Sequence, residues 1–523
     1  MENARSIKPY GFFWLLIVIF LLRGMAIQCL YPPLEGPDEY QHIAVIHYLV
    51  ENRVLPVYGQ SMVPVSLYDD IVANPHPNHS ADHTRCIGAQ SYETFYAGKP
   101  VRTFDAPIIL YQAQHPPLYY ILMAPLYAWS RSLLDFHSTV YLLRFVNLIA
   151  AAFAIVFLLY PLRCIVADER LYRLFALTVA ASPMYMIHIS RVTNDAFALL
   201  FAGIALLLVM RIIGNSRPYM MAGIAGVVTG ISVMFKLTGL VLLPAVPVYF
   251  VFLAAASRIS RRLSALCCFA FFAGYLLMSF PYHAWVQVQF GTFLFDQASN
   301  FCRASDLTML DVLGGVRLEH VNSVFAKGLF LDNLWTSGWS FLGVPRSFKR
   351  VYGVLMLLAA GGSFAWLLAS LRYENKRHIR VSCPLILCAL LTCATTGAFY
   401  LFALKHLAVY NFTTIPSYYF MIAYPAFLTC VFVAALGYGR RTASVIAFLL
   451  LVCFTCTELY GLCFVAVPYW AQSQDLTVIF SRLASLHPVF PAPAYFFVLY
   501  SLALVLLVTA LFSALKVRVI RPS

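Results

Sequence analysis

Apolar runs of about 20 residues recur along this chain from one end to the other, and they constrain its fold more than any other feature. A helix of that length crosses the ~30 Å hydrocarbon core of a bilayer. The composition agrees, because 61% of the residues are hydrophobic and only 11% are charged, whereas about a quarter of a soluble domain is charged. The chain is therefore predicted to be an all-α, polytopic membrane protein.

Twelve segments are predicted to cross the membrane. They are residues 10–30, 138–163, 171–189, 195–213, 219–235, 237–256, 264–285, 351–371, 381–404, 417–437, 440–465 and 493–515. With twelve crossings, the loops rich in Lys and Arg lie on the same side as Arg5 and Lys8. Cytoplasmic loops carry the excess of basic residues, so both termini are predicted to be cytoplasmic. The net charge of +14 then reflects topology, and no nucleic-acid partner is expected.

One further apolar segment, residues 117–130, would break this alternation. It is shorter than a full span, and we interpret it as a helix that lies against or dips into the outer face. If it is counted as a span, the chain has thirteen crossings. The prediction is therefore about twelve transmembrane helices, within a range of eleven to thirteen.

Two long loops lie outside the cytoplasm in this topology, and such loops are usually functional rather than connective. The predicted organisation has three parts. A first transmembrane module covers residues 1–285 and includes an extracytoplasmic loop at 32–137 with juxtamembrane helices, a second loop covers 286–350, and C-terminal helices cover 351–523.

The stretch "YPPLEGPDEYQHIAVIHYLV" follows the first apolar segment and places acidic residues at a membrane boundary. Pro37 is predicted at the first helical position, with Asp38 and Glu39 in the first turn. A helix N-terminus stabilises negative charge, so Asp38 is expected to be ionised near neutral pH. His42 lies four residues on and shares its face. Asp38 suits a base or a ligand of a divalent cation; the alternative is an acidic turn that only complements the helix dipole.

A second polar group stands in "YQAQHPPLYY". Pro116 and Pro117 force an extended entry and then permit a helix to begin, which fixes His115 at a constrained point. Its imidazole could donate a hydrogen bond to a phosphate or a sugar oxygen. The alternative is an interfacial aromatic belt with a solvated histidine.

Three cationic or acidic residues mark later segments on the same side. Arg191 and Asp195 are four apart in "ISRVTNDAFALLF", which fits either a helix cap with a local ion pair or a binding group. Lys236, in "MFKLTGLVLLP", lies between two apolar segments. It either extends to the interface or binds a lipid phosphate.

Aromatic and basic residues of the later loops complete the candidates. Trp335 and Trp339 are four apart in "FLDNLWTSGWSFLGVPRSFKR", where they either stack on a sugar ring or anchor at the interface. Lys405 follows in "KHLAVYNF". The topology inferred from the basic cytoplasmic loops places all of these residues on the extracytoplasmic side, although none of them was used to infer it. A carboxylate beside several cations suits a reaction on a lipid phosphate, because the cations stabilise the leaving group and the carboxylate takes a proton.

The ordered motifs "PDEYQH", "HPPLYY", "SRVTNDA" and "KLTG" resemble those of the GT-C superfamily of integral-membrane glycosyltransferases, which includes protein O-mannosyltransferases and aminoarabinose transferases. The "LWTSGW" element and the "PDE…H" form are more similar to those of a poorly characterised bacterial branch of this superfamily. The resemblance covers most of residues 1–340 and, more loosely, the remainder of the chain. It implies a GT-C-type helical bundle, a polyprenyl-phosphate-sugar donor, an extracytoplasmic glycan, lipid or protein acceptor, an outward-facing site and inversion at the anomeric carbon.

The resemblance also implies roles for individual residues. Asp38 matches the catalytic base, with Glu39 and Asp195 as acidic partners that could surround a divalent metal; metal use varies in the superfamily, and no ion is assigned. The predicted donor-phosphate and substrate contacts are His42, His115, Arg191, Asp195, Lys236, Trp335, Trp339 and Lys405. His115 stands where relatives commonly carry a lysine, so its charge is left open.

Two other functions fit the composition. A polymerase or ligase for polyprenyl-diphosphate-linked glycans would use arginines of a large outer loop, for which the chain offers Arg303, Arg317, Arg346 and Arg350. A lipid or solute transporter would favour broken helices and ionisable residues near the midplane. A bacterial inner membrane is the expected location. The sugar, the acceptor, the oligomeric state and a pairing of Cys86 with Cys302 are left open.

Overall fold

The computed structural model describes residues 9–34, 36, 38–73, 107–295, 319, 321–322, 325, 334–337, 342–372, 383–410, 417–468, 475, 477–479, 481, 483 and 492–516. Trp339, Cys86, Cys302, Arg303 and Arg317 lie outside these residues. The described part of the chain is almost entirely helical, which confirms the predicted all-α class.

The helices of the first module are α1 Pro9–Leu30, α2 Glu39–Asn52, α3 Tyr68–Ala73, α4 Leu118–Leu133, α5 Phe136–Leu158, α6 Tyr160–Ile165, α7 Glu169–Ala180, α8 Pro183–Ile189, α9 Asp195–Met210, α10 Pro218–Phe235, α11 Leu242–Ala255 and α12 Arg261–Phe290. The later helices are α13 Arg346–Arg372, α14 Cys383–Tyr410, α15 Tyr424–Ala435, α16 Arg440–Tyr460 and α17 Ala492–Lys516. Two-residue strands β1 Thr336–Ser337 and β2 Leu342–Gly343 pair antiparallel. Short 3₁₀ turns cover Val65–Leu67, Tyr111–Gln114, Leu237–Val241, Ser417–Phe420 and Leu436–Tyr438.

Eight described helical segments are long and apolar enough to cross a membrane. They are Gly11–Leu30, Phe136–Ile165, Pro218–Phe235, Leu237–Ala255, Arg261–Phe290, Cys383–Val409, Arg440–Ala466 and Tyr495–Leu515. Asp195–Met210 and Tyr424–Tyr438 are shorter apolar helices. The protein is therefore an integral membrane protein. Each of the twelve predicted segments contains helix, although the segment 171–189 consists of two helices, α7 and α8, separated by Ala181 and Ser182. The number of membrane crossings stays a prediction.

Helix α4 covers the segment predicted at 117–130. It follows Pro117, which has helical dihedral angles at the N-cap, as expected for a residue with a fixed φ. Its buried residues include Tyr119, Tyr120 and Met123, and it packs along α2. It is not among the eight candidate spans. Together α2 and α4 enclose a small apolar core that fixes the segment after α1.

One large apolar core joins the first module to the C-terminal helices. The rings of Phe175 and Phe432 stack with centroids 4.5 Å apart across this boundary. Helices α10 and α12 approach so closely that a Cβ at Gly226 or Gly274 would meet the backbone of the opposite helix. Small residues permit this contact, which is how membrane helices gain packing energy.

Candidate active site

A polar cavity of about 450 Å³, including its opening, lies where several chain segments meet. It is lined by Asp38, His42, Tyr111, Gln112, Gln114, His115, His188, Arg191, Thr193, Asp195, Lys236 and Tyr419. Five of the sequence-predicted residues besides Asp38 are in this set. The cavity therefore gathers side chains that are far apart in the sequence into one place.

Asp38 lies at the N-cap of α2, one residue before the helix begins. The sequence predicted Asp38 inside the first turn, and the structure corrects this start to Glu39. The backbone of Asp38 is left-handed, with φ 57°, a conformation that Asp tolerates better than most residues. Its carboxylate makes no capping hydrogen bond to α2, and it lines the cavity instead. Backbone conformations of this kind cluster at functional sites.

The pKa of Asp38 is raised to about 6. Burial is the main cause, while the Lys236 ammonium and the Gln112 side chain act in the opposite direction and Asp195 adds to the rise. The carboxylate stays mostly ionised at pH 7, as expected, but its proton affinity is higher than a helix N-terminus alone would give. A carboxylate with a pKa close to the working pH is suited to general-base catalysis.

Glu39 lies behind the cavity rather than in it, in contrast to the expectation that it lines the site with Asp38. Its side chain is fully buried and receives two hydrogen bonds from Arg144, from Nε at 2.7 Å and Nη2 at 2.6 Å, and a third from the Val192 N–H. Burial alone would raise the pKa of Glu39, but Arg144 overrides it and the net pKa is lowered. Arg144 also donates to the carbonyls of Tyr31 and Pro32. We call Glu39 and Arg144 the site clamp.

Asp195 pairs with Lys236, not with Arg191 as the four-residue spacing suggested. Lys236 Nζ lies 2.7 Å from each Asp195 oxygen, and the pair is buried. Asp195 begins α9 and Lys236 directly follows α10, so the ion pair joins two helix ends at the cavity. Lys236 is 4% exposed, which corrects the alternative in which it extends to the interface.

Arg191 also lines the cavity, with its guanidinium carbon 4.5 Å from the centre of the Tyr31 ring. Asn147 of α5 holds this segment, because its side-chain N–H groups donate to the carbonyls of Arg191 and Thr193 at 2.8 and 3.0 Å. Gly36 is required beneath it, since a Cβ there would collide with the Arg191 side chain. The segment before α9 is thus fixed in position.

His42 and His115 stack with nearly parallel rings, 6.2 Å between centroids and 8° between planes. His42 Nδ1 lies 3.0 Å from the Tyr120 hydroxyl. Burial, and then the charge of Lys236, lowers the pKa of His115 to about 3, and burial lowers the pKa of His42 as well. Both rings are therefore neutral near pH 7, which answers the question that the sequence left open for His115. A neutral imidazole contacts a ligand as a hydrogen-bonding group, not as a cation.

No family model and no curated protein matches this sequence. Among solved structures, the apo oligosaccharyltransferase of Archaeoglobus fulgidus is similar at 13% identity and a TM-score of 0.50, over 93% of this chain and 60% of that one. The chain has a GT-C fold. The fold that the motifs predicted is thereby confirmed. This chain spans less than two thirds of the length of that oligosaccharyltransferase.

Two further structures are similar at lower scores. The archaeal enzyme AglB from Archaeoglobus fulgidus, with an inhibitory peptide and a dolichol-phosphate, matches at 12% identity and a TM-score of 0.48, over 93% of this chain and 61% of that one. ArnT from Cupriavidus metallidurans, bound to undecaprenyl phosphate, matches at 12% identity and 0.34, over 94% of this chain and 88% of that one. At 12% identity, the similarity to these two structures concerns the fold alone.

Some predicted site residues lie elsewhere in the GT-C fold. Trp335 is fully buried before β1 and packs against Gly461. Lys405 lies on α14 and does not line the cavity. Arg346 and Arg350 are exposed at the start of α13. Thus the described arginines of the second outer loop do not converge on the polar cavity.

The cavity also contains residues that sequence reasoning missed. Gln112, Gln114 and Thr193 are uncharged neighbours of the selected motifs, and His188 precedes Arg191 by three residues. Tyr419, from the 3₁₀ turn after α14, brings the C-terminal half to the site, with its ring centre 5.4 Å from Lys236 Nζ. Tyr419 lies in the aromatic stretch "SYYFMIAYP", which could have marked it as a candidate. Nothing in that pattern predicts its contact with Lys236.

The predicted acidic partners for a metal do not form one donor set. Both oxygens of Glu39 bond to Arg144, and both oxygens of Asp195 bond to Lys236. Among the residues that the structure describes, no group of three or more His, Cys, Asp and Glu side chains is placed to hold a metal ion. In the described part of the cavity, Asp38 is thus the one carboxylate without a cationic partner at hydrogen-bond distance, and it lies beside Lys236 and Arg191.

Proposed function

We propose that this protein is a membrane glycosyltransferase that moves a sugar from a polyprenyl-phosphate donor to an extracytoplasmic glycan, lipid or protein, with Asp38 as the general base. The proposal places the active site at the cavity and the cavity on the extracytoplasmic side of a bacterial inner membrane. A GT-C fold supports this assignment, and the oligosaccharyltransferase activity named for the similar archaeal protein is of the same broad class.

The observation that carries the proposal is the content of the cavity. A carboxylate with a pKa of about 6 shares one polar space with Lys236 and Arg191. A base and cations within one low-dielectric cavity are the two parts that substitution at a phosphate-bearing carbon requires. Neither a transporter nor a glycan polymerase is favoured by an observation of comparable detail.

The reaction is a direct displacement at the first carbon of the sugar. An acceptor hydroxyl loses its proton to Asp38 and attacks that carbon, so that the new C–O bond forms as the bond to the phosphate oxygen breaks. The polyprenyl phosphate leaves with the electron pair, and Lys236 and Arg191 stabilise its charge. Attack opposite the leaving group inverts the configuration. General-base catalysis contributes about 10²–10⁴ to the rate.

The neutral side chains of the cavity have a separate role in this mechanism. His42, His115, Gln112 and Gln114 line the space beside the cations, and they offer uncharged donors and acceptors. Such groups suit the hydroxyls of the transferred sugar and leave the phosphate to Lys236 and Arg191. The sugar is thus oriented without a further charge next to Asp38.

The substitution Asp38→Asn tests the proposal, because it preserves the shape of the side chain and removes the base. Transfer is expected to fall by about 10²-fold or more, while expression and binding of the polyprenyl phosphate stay at the parental level. Mass spectrometry of surface glycans from cells that carry the parental or the variant gene identifies the sugar that disappears. Asp69→Asn, at an exposed aspartate of α3, is the matched control and is expected to retain transfer. Parental glycans from the Asp38→Asn strain would refute the assignment.

A further inference from the structure

Two of the three acidic residues predicted as metal ligands, Glu39 and Asp195, are already paired with cationic side chains of the same chain. Asp195 accepts two hydrogen bonds of 2.7 Å from Lys236 and a third, of 2.8 Å, from the Thr193 hydroxyl. A carboxylate has about four acceptor positions, so most of its coordinating capacity is in use. Bonds of this length between ionised groups are the strong class of hydrogen bond.

A divalent ion could reach Asp195 only if it displaced the ammonium. Lys236 is nearly fully buried, and its backbone is held by the end of α10, where its N–H donates to Ser232 O at 3.0 Å. Displacement would leave an ammonium without its carboxylate in a buried site, which is strongly unfavourable. The metal would therefore compete with a cation that the fold itself supplies.

The other potential metal ligands do not compensate for the cost of displacing Lys236. The Glu39 carboxylate is held by Arg144 behind the cavity, so it has no oxygen to offer. The rings of His42 and His115 are stacked with nearly parallel planes. Neither ring belongs to a group of three or more His, Cys, Asp and Glu side chains that could hold a metal ion, among the residues that the structure describes. Of the acidic residues that the structure describes at the cavity, this leaves Asp38 as a single ligand.

We propose that the Lys236 ammonium is the cation that permanently occupies the position beside Asp195 that a divalent metal ion would need, and that the site works without a metal. The inference rests on the proposed glycosyl transfer. In that reaction Lys236 balances Asp195 and faces the phosphate of the donor. Its charge also keeps the pKa of Asp38 from rising further. One side chain thus serves both the base and the leaving group.

A titration with Mn²⁺ tests the inference without any assay of transfer. The full chain in lipid nanodiscs is titrated and bound Mn²⁺ is followed by electron paramagnetic resonance. The parental chain is expected to show no saturable site below millimolar Mn²⁺. Lys236→Met removes the two ammonium hydrogen bonds from Asp195 and is expected to gain one Mn²⁺ site, which Lys236→Met/Asp195→Asn lacks. A saturable site in the parental chain that Asp195→Asn removes would overturn the proposal, as would a Lys236→Met variant that binds no Mn²⁺.

The double variant also guards against a folding defect, because it removes both buried charges together. Thermal unfolding of each variant shows whether it is folded before it is titrated. Lys349→Met, at a lysine in the first turns of α13 and outside the cavity, is the matched control and is expected to behave as the parent.

Binding of a polyprenyl phosphate without its sugar gives the second measurement. Its affinity is expected to be unchanged by EDTA and to fall by about tenfold or more in Lys236→Met, since a charge-assisted bond is lost. Loss of binding in EDTA would overturn the metal-free site. If the lipid phosphate fails to bind under every condition, the proposed function is refuted, whereas the Mn²⁺ titration still decides the identity of the cation.

Discussion

Two buried arginine–glutamate pairs in this protein use the same chemistry in different places. The site clamp joins Arg144 to Glu39, and Arg144 also donates to the carbonyls of Tyr31 and Pro32. In the second pair, which we call the bundle clamp, Arg23 of α1 bonds to Glu458 of α16 and donates to the carbonyls of Ala180 and Ala181. Each guanidinium donates hydrogen bonds to one carboxylate and to two backbone oxygens.

The difference lies in what each clamp holds. Glu39 directly follows Asp38, and the carbonyls bound by Arg144 belong to the segment that leads to it, so the site clamp fixes the position of the proposed base. The bundle clamp joins α1, the end of α7 and α16, and the Tyr500 hydroxyl of α17 donates to Glu458 at 2.6 Å. Neither of its charged residues lines the cavity. The same interaction therefore stabilises the geometry of the proposed active site in one region and helix packing in the other.

The largest expected effect is common to both clamps. Arg144→Met and Arg23→Met each leave a glutamate buried without its partner, which costs about 3–5 kcal/mol. The free energy of unfolding, measured by denaturant titration in lipid–detergent micelles, is expected to fall by similar amounts in the two variants. A variant with the parental free energy of unfolding would show that its clamp carries little stability.

The second effect separates the clamps. The double variants Glu39→Gln/Arg144→Met and Arg23→Met/Glu458→Gln remove both charges of a pair, so each avoids an unpaired buried ion. The rate of transfer is expected to fall about 10²-fold in the first, because displacement of a base by 1 Å has an effect of this size. The second double variant is the control, and its rate per folded molecule is expected to match the parent. Equal rates in the two would contradict the positioning role of the site clamp.

The pH dependence of transfer sharpens the same contrast. Asp38 must be ionised to accept a proton, and its pKa is raised to about 6, so the rate is expected to rise with pH through that value. The rate at pH 5 should be about a tenth of the rate at pH 7. His115, with a pKa of about 3, stays neutral over this range and adds no second inflection. A pH–rate profile measured at saturating donor checks this.

Removal of the bundle clamp is expected to leave the inflection where it is, since neither Arg23 nor Glu458 lines the cavity. An inflection near pH 4, the ordinary range of an aspartate, would contradict the burial of Asp38. An inflection that moves in the Arg23→Met/Glu458→Gln variant would show that the two regions are coupled.

The sequence predicted the helical class and brought Asp38, His115, Arg191, Asp195 and Lys236 to one side, because apolar periodicity and the distribution of basic residues are local or statistical signals. It could not predict the ion pairs. Lys236 and Asp195 are 41 residues apart, Arg144 and Glu39 are 105 apart, and Arg23 and Glu458 are 435 apart. The carboxylate with which a cation pairs depends on how the helices pack. Both clamp arginines lie within apolar segments that were read as membrane spans, so the sequence pattern did not mark them as functional.

The smallest expected effect probes the bundle clamp alone. Tyr500→Phe removes one hydrogen bond to Glu458, whose Oε1 still accepts from Arg23. The free energy of unfolding is expected to fall by about 1–2 kcal/mol, less than in Arg23→Met, because no charge is left unpaired. Tyr352→Phe is the matched control. Its hydroxyl lies 3.5 Å from the Tyr424 hydroxyl, which is a longer and uncharged contact, so its loss is expected to lower the free energy of unfolding by less. A loss of transfer per folded molecule in Tyr500→Phe would mean that the bundle clamp acts on the site, and the separation of the two regions would fail.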